Sequence, residues 1–331
     1  MNRRLVCLKA GEVGWLEVPR RSPAEGEVLV RPTYGVEKHG TMAAFVKGYG
    51  NARGRWDSEA RIHRQGGMLW SYPVPLGNMQ FGETETGERV AWFGPFESSS
   101  VVKESSLRQL GTVEWIDAAM LDPGTFALGA LRDGNARIGD SVAIFGLGAI
   151  GLAAVQLAHA AGASQIFALD PIESRRRIAE KYGAVTIDPT TDDAGLTIRE
   201  ATGMRGVDVV IEYSGAWRAF QASFRAVAYG GTIVCGAFPP PFPAGLDLGG
   251  EAHMNRPRVI FSRACSDPNP DHPRWDEQRI IESVWGLISS GSLKGDGIID
   301  APIPFEDLPE VYPQIAEHPE SHLKLSVRYP L

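Results

Sequence analysis

The run Glu37, Lys38, His39, with a hydroxyl at Thr41, closes the alternating stretch EVLVRPTYGV. Charged side chains seldom gather straight after a buried strand unless something uses them. A carboxylate, an imidazole and a hydroxyl this close are the parts of a proton-transfer site, with Glu37 or His39 as the acid or base. The bland alternative leaves Lys38 and His39 on a solvent-facing loop. A second group is IFGLGAIG, which sets Gly146, Gly148 and Gly151 in G-x-G-x-x-G spacing. A lone match of that kind is weak. This one follows a predicted strand, opens a predicted helix at Ala149 and Ile150, and precedes a strand ending in Asp170. Gly146 permits the turn, Gly148 lets the backbone approach a pyrophosphate, and Gly151 lets helix and strand pack closely. The helix N-terminus then faces the phosphates. Asp170 sits where a carboxylate accepts ribose hydroxyls and repels a 2′-phosphate, so NAD is expected over NADP. Arg175, nearest that turn, would reach the adenosine ribose.

These groups need different kinds of structure to carry them. Residues 1 to about 116 read as β-rich, with runs such as ERVAWF set between Gly, Pro and charged turns. No strong helix pattern precedes WIDAAML. Residues 47–73 are polar, rich in Gly and Arg, and hold Trp56, Trp70 and Tyr72, which reads as a long functional loop. From residue 141 the character changes. SVAIF, QIFALD, VTI, GVDVVIEYSG, GGTIVCGA and RVIFSR are strands separated by helical patterns, the signature of right-handed βαβ units and a parallel sheet. After a Pro/Asp linker at 266–273 comes an amphipathic helix, RWDEQRIIESVWGLISSG, and a closing strand that would rejoin the N-terminal region. The expected fold class is α/β. A doubly wound Rossmann sheet at 121–266 is inserted between two parts of a β-rich domain, 1–120 and 267–331.

Bulk composition removes several function classes. Forty acidic against thirty-three basic residues give a net charge of −7, which argues against a nucleic-acid or anionic-membrane surface. The longest apolar runs are broken by glycines and fit a strand followed by a helix better than a membrane span. The N-terminus MNRRLVCLKAG reads as a first strand rather than a signal peptide. Cys7, Cys235 and Cys265 are odd in number and far apart, so neither a disulfide framework nor a zinc finger is expected. A reducing cytoplasm follows.

Taken together, GEVLVRPTYGV, PLGNMQFGETETGERVA, IGDSVAIFGLGAIGLAAVQLAHAAGA, GVDVVIEYSG, YGGTIVCGAF and the closing PFEDLPEVY…LKLSV resemble the medium-chain dehydrogenase/reductase superfamily, the alcohol and polyol dehydrogenases. The resemblance covers nearly the whole chain. It implies a GroES-like β-rich catalytic domain and hydride transfer with nicotinamide in an interdomain cleft. Most alcohol-dehydrogenase-like members hold a catalytic zinc, and here the resemblance departs. Glu37 stands in the column of the first ligand, a Cys. Asn78 and Met79 stand where the family has His and Glu. Asp122 falls near the third column, although LDPGT also reads as a turn capping the next helix. An all-oxygen set of Glu37, Asn78 and Asp122 suits Mg or Ca better than Zn, so no catalytic metal is expected.

The same resemblance implies the remaining roles. Lys38 and Lys324 fall where relatives approach the pyrophosphate. His39 or Thr41 falls in the column of a relay hydroxyl. Ser214 lies in a matching cofactor stretch, and the backbone of Cys235, Gly236 and Ala237 would meet the nicotinamide carboxamide. The segment around RVIFSRACSDPNPDHPRW resembles a branch assigned to sugar, polyol or cyclitol dehydrogenases. The expected substrate is a small polyhydroxylated molecule. It would also be anionic if Arg53, Arg55, Arg61 and Arg64 converge on it, and Trp56, Trp70 and Trp275 would wall its pocket or simply be core. A homodimer or homotetramer is expected. The alternatives are a quinone or enoyl reductase of the same fold and a non-catalytic nucleotide-binding protein.

Overall fold

The computed structural model describes residues 1–243, 245–263, 273–318 and 320–330, without the side chains of His39 and Ala316. Cys265 and most of the 266–273 linker lie outside the described residues. The chain forms two compact units, one from Met1–Ala119 with Ile299–Leu331, the other from Met120–Ile298.

The second unit is built on six parallel strands. Their order across the sheet is Val185–Ile187, Gln165–Leu169, Ser141–Phe145, Val207–Glu212, Val227–Cys235, Arg258–Phe261. Numbered along the chain, that order is 3-2-1-4-5-6, and the strand order reverses beside Ser141–Phe145. Ligands of doubly wound sheets bind at such a reversal, beyond the carboxyl ends of the strands. Ser141–Phe145 is buried along its length, as a central parallel strand covered on both faces must be. The helix Ala149–Ala160 follows it at once and buries Leu152, Val155 and Leu157.

The expected boundary at 266 differs from the observed one, and packing gives the reason. The helix Glu277–Ser289, N-capped by Asp276, buries Ile280, Val284 and Ile288. It lies against the helix Leu121–Asp133 so closely that a Cβ on Gly124 would meet Val284 and Leu293 at 2.7 Å. Gln156 bonds both backbone groups of Lys294, at 2.9 and 3.0 Å. Trp275 lies under two guanidinium groups, Arg132 at 3.6 Å and Arg279 at 4.3 Å from its ring centre. Residues 274–298 are thus held to the Rossmann-type unit.

The first unit is β-rich. One sheet runs Arg108–Gln109, Arg89–Pro95, Gly77–Thr84, Glu27–Val36, Ser326–Arg328, Ile303–Pro304, with Ser100–Lys103 also on Glu27–Val36. The terminal strand does rejoin the N-terminal region, pairing Ser326 with Val36 and Val327 with Gly35. The core gathers Leu5, Leu76, Phe96, Phe305, Tyr312, Leu325 and Tyr329. Two local expectations are corrected. No strong helix pattern is read before WIDAAML, yet residues 39–47 form a helix, His39–Lys47. The long loop at 47–73 contains a small hairpin, Arg55–Asp57 with Ile62–Arg64, closed by Arg64 on Asp57 at 2.6 Å.

Candidate active site

In the second unit, the glycine motif turns the chain from Phe145 into the next helix. Gly146 has φ +90°, and a Cβ there would lie 2.5 Å from the Ser214 nitrogen. A Cβ on Gly151 would lie 1.9 Å from the Gly146 carbonyl oxygen. Gly148 is the opposite case, with nothing within 4 Å of its virtual Cβ. It is also the N-cap of the Ala149–Ala160 helix, and no side chain caps that end. The first amides of the helix, at Ala149 and Ile150, thus start from an N-cap with open space on its Cβ side, at the positive end of the helix dipole. A dinucleotide pyrophosphate fits such a cradle.

Asp170 lies beside this turn and is buried. One carboxylate oxygen accepts the Leu147 amide and the other the Ile172 amide, each at 2.8 Å. Arg175 approaches the first at 3.8 Å, and Arg176 donates to the Asp170 carbonyl at 2.6 Å. Glu212 ends the strand on the other side of the turn. Its carboxylate accepts the Ser214 amide at 2.7 Å, the Ser214 hydroxyl, and the Gly215 amide at 3.0 Å. Burial raises the Glu212 carboxyl above its ordinary value, and the bonds from Ser214 and Gly215 pull it down. Glu212 thus shapes the loop that Gly146 touches. Sequence reading passed over it, although an acid ending a predicted central strand was the available signal.

In the first unit, three neighbouring strands end together. Val36 is paired with Met79 on one side and Ser326 on the other. The next residues along each strand are Glu37, Asn78 and Leu325. Glu37 is 1% exposed and its amide donates to the Leu325 carbonyl at 3.1 Å. The Lys324 ammonium, 3% exposed, donates to the Glu37 carbonyl at 2.5 Å. Asn78 is 9% exposed, and its Nδ2 has no hydrogen-bond partner among the described residues. A buried amide donor without a partner is costly and marks a place where a ligand oxygen fits.

Comparisons with known proteins show the family. D-guloside 3-dehydrogenase of Escherichia coli K12 is 36% identical over 350 aligned residues, spanning 99% of this chain and 100% of that protein. The chain belongs to the medium-chain dehydrogenase/reductase superfamily. A family described as zinc-binding dehydrogenase matches residues 149–271. The fold is that of 2R,3R-butanediol dehydrogenase from Bacillus subtilis, with TM-score 0.78, 21% identity and full coverage of both chains. It is equally that of a zinc-binding dehydrogenase from Sinorhizobium meliloti solved with NADP, with TM-score 0.76, 21% identity and 99% of each chain covered. Family membership makes this chain an oxidoreductase of the alcohol-dehydrogenase type.

The structure gives the surroundings of the other expected residues of this dehydrogenase. Lys38 is the N-cap of the 39–47 helix and Thr41 lies in its first turn, while the His39 side chain lies outside the described residues. Asp122 is not a turn residue. It is buried in the first turn of the helix Leu121–Asp133, within the second unit, whereas Glu37 and Asn78 belong to the first. Lys324 is buried on a backbone carbonyl. Cys235 ends its strand beside Glu212, and burial, with that carboxylate adjacent, pushes its thiol up to about 12. Gly236 leaves no room for a side chain, since a Cβ would lie 2.3 Å from the Tyr213 ring, and Ala237 follows it past the strand end. Among the loop residues, Arg64 is paired with Asp57 and Trp56 is largely exposed.

Proposed function

We propose that this chain is a zinc-independent, NAD-dependent dehydrogenase that oxidises a secondary hydroxyl of a sugar-type or other polyhydroxylated metabolite. The observation that carries the reading is the shared end of three strands, where buried Glu37, its carbonyl on the Lys324 ammonium, follows Val36 beside Asn78, whose Nδ2 has no partner among the described residues. A catalytic zinc takes about three protein ligands from thiolate, imidazole and carboxylate. Glu37, Asn78 and Met79 offer one carboxylate, an amide and a thioether, with an ammonium fixed on the Glu37 backbone. These residues do not fit zinc. Among the described residues no group of three or more His, Cys, Asp or Glu could hold a metal ion.

The residues of the second unit do fit a dinucleotide, by the open face of Gly148, the uncapped helix end and Asp170. NAD bound there would supply the hydride acceptor. Glu37 or His39 would take the proton of the substrate hydroxyl. The Asn78 Nδ2 donates to the oxygen on which charge develops. Asp170 favours NAD by accepting ribose hydroxyls. One observation favours NADP instead, namely Arg175 within 3.8 Å of that carboxylate, where a guanidinium could receive a 2′-phosphate.

The substrate class rests on the whole-length relative named for D-guloside. A homodimer is part of the proposal. The strand Arg258–Phe261 ends the parallel sheet, and Phe261 is 82% exposed beside Val259. Among the described residues no helix is long and apolar enough to cross a membrane. We place the enzyme in the cytoplasm, acting on a free small molecule.

The test is titration of NADH and NADPH by fluorescence, then turnover with methyl D-guloside and a panel of polyols and keto-sugars, before and after chelation. NAD-linked turnover that survives chelation is expected. Loss on chelation with recovery on added zinc overturns the metal-free reading, and tight NADPH binding without NADH binding overturns the cofactor. Hydride transfer to none of the panel sinks the substrate class, and silence with quinones and enoyl thioesters as well favours the non-catalytic alternative.

A further inference from the structure

We propose that Lys324 is a positioning residue for Glu37 and not a ligand of the cofactor. The inference rests on the reading of Glu37 as an acid–base group. Lysine normally keeps its ammonium in water, and burying it is costly unless it finds partners. Here the ammonium is buried and spends a hydrogen bond on the Glu37 carbonyl, 287 residues away in the chain. The other side of the same residue is held too, by the Glu37 amide on the Leu325 carbonyl at 3.1 Å. The holding segment is itself pinned. The Asp300 amide donates to the Lys324 carbonyl at 3.0 Å, Leu323 donates to the Asp300 carboxylate at 3.0 Å, and Ser326 donates to the Asp300 carbonyl at 2.6 Å.

The clamp matters because the turn it grips is irregular. Glu37 is the hinge between the strand Glu27–Val36 and the helix His39–Lys47. The helix cap, Lys38, has φ −112° and ψ 81°, outside both regular regions, and no side chain caps the helix. Where the Glu37 peptide is held sets the point from which its side chain projects, and Lys324 with Leu325 holds that peptide.

The experiment uses the full-length protein with K324M, K324R and E37Q. Three quantities are read: amide exchange over Val36–Met42, the NADH dissociation constant, and kcat and KM with NAD and methyl D-guloside. K324M is expected to raise exchange by about tenfold as the hinge loosens. It should lower kcat by about 100-fold, the cost of a misplaced catalytic group, with NADH affinity within about threefold of native. K324R, which keeps the donor, should recover part of kcat. A rise in the NADH dissociation constant of about tenfold or more with kcat retained assigns Lys324 to the cofactor and overturns the proposal. Native exchange over Val36–Met42 in K324M overturns it whatever E37Q does. Raised exchange together with a fully active E37Q leaves the clamp standing and overturns the acid–base reading of Glu37. Should K324M fail to fold, the same readings on K324R decide, with native exchange and kcat but weakened NADH binding as the overturning result.

Discussion

The Gly146 carbonyl and Gly151 are in direct backbone contact, so that a Cβ on Gly151 would lie 1.9 Å from the oxygen. Gly148, between them in sequence, has nothing within 4 Å on that side. The motif therefore makes two separate demands, one from the protein and one from whatever occupies the cradle.

The two demands separate on substitution. G146A and G151A are expected to destabilise the second unit by about 1–3 kcal/mol, through a strained φ at Gly146 and a backbone clash at Gly151. G148A should leave stability within about 0.5 kcal/mol, since its methyl meets only open space. It should nonetheless weaken NADH binding about tenfold or more, where the pyrophosphate would lie. Thermal unfolding and fluorescence titration of the three variants check this. Unweakened binding in G148A would place the phosphates elsewhere.

Asp170 is expected to do two jobs at once. D170N removes the charge but keeps one acceptor for the Leu147 or Ile172 amide. NADH affinity should fall by about tenfold, and the preference over NADPH should shrink or reverse with Arg175 unbalanced. Paired titrations with both cofactors read it directly, and a D170N enzyme with native preference contradicts the ribose role.

Glu212 gives a pH dependence of stability with a definite sign. Its folded carboxyl titrates above the ordinary value of 4.5 because it is buried. The folded state therefore keeps a proton that the unfolded chain has released. The stability this supplies is fully present below pH 4.5 and is lost as pH rises through the higher folded value. E212Q retains an acceptor for Ser214 and Gly215 and has no charge to bury. Urea unfolding across pH 4 to 7 should show a decline in the native protein that E212Q lacks, and parallel curves would refute the assignment.

The described thiols should be inert. Burial pushes Cys7 up to about 11 and Cys235 to about 12. The thiolate is the reactive form, so neither should take up iodoacetamide at about pH 8 in the folded protein. Peptide mass spectrometry before and after denaturation distinguishes them, and native-state labelling of Cys235 would mean that the end of its strand opens readily.

The Rossmann-type half was largely legible because its signals are local. Six apolar runs, a glycine turn and a terminal acid lie in sequence order, and most strands pair with the next one along the chain. The first unit was harder to read. The helix His39–Lys47 opens without a capping side chain, so the usual start signal is missing. The helix Glu277–Ser289 shows its apolar face plainly, but its partner helix, Leu121–Asp133, lies far back in the chain. Lys324 illustrates the limit. The resemblance suggested a pyrophosphate contact, and only the fold brings it to Glu37.

That long separation has a consequence for synthesis. Residues 120–298 are continuous and can fold as they leave the ribosome, whereas the first unit stays unfinished until residues 323–328 arrive. With 287 residues between Glu37 and Lys324, elongation at ~5–20 residues per second leaves the hinge unclamped for about 15–60 s. During that interval the edge of Glu27–Val36 awaiting Ser326–Arg328 is open to any passing strand, which makes this gap the period of greatest exposure to misassembly.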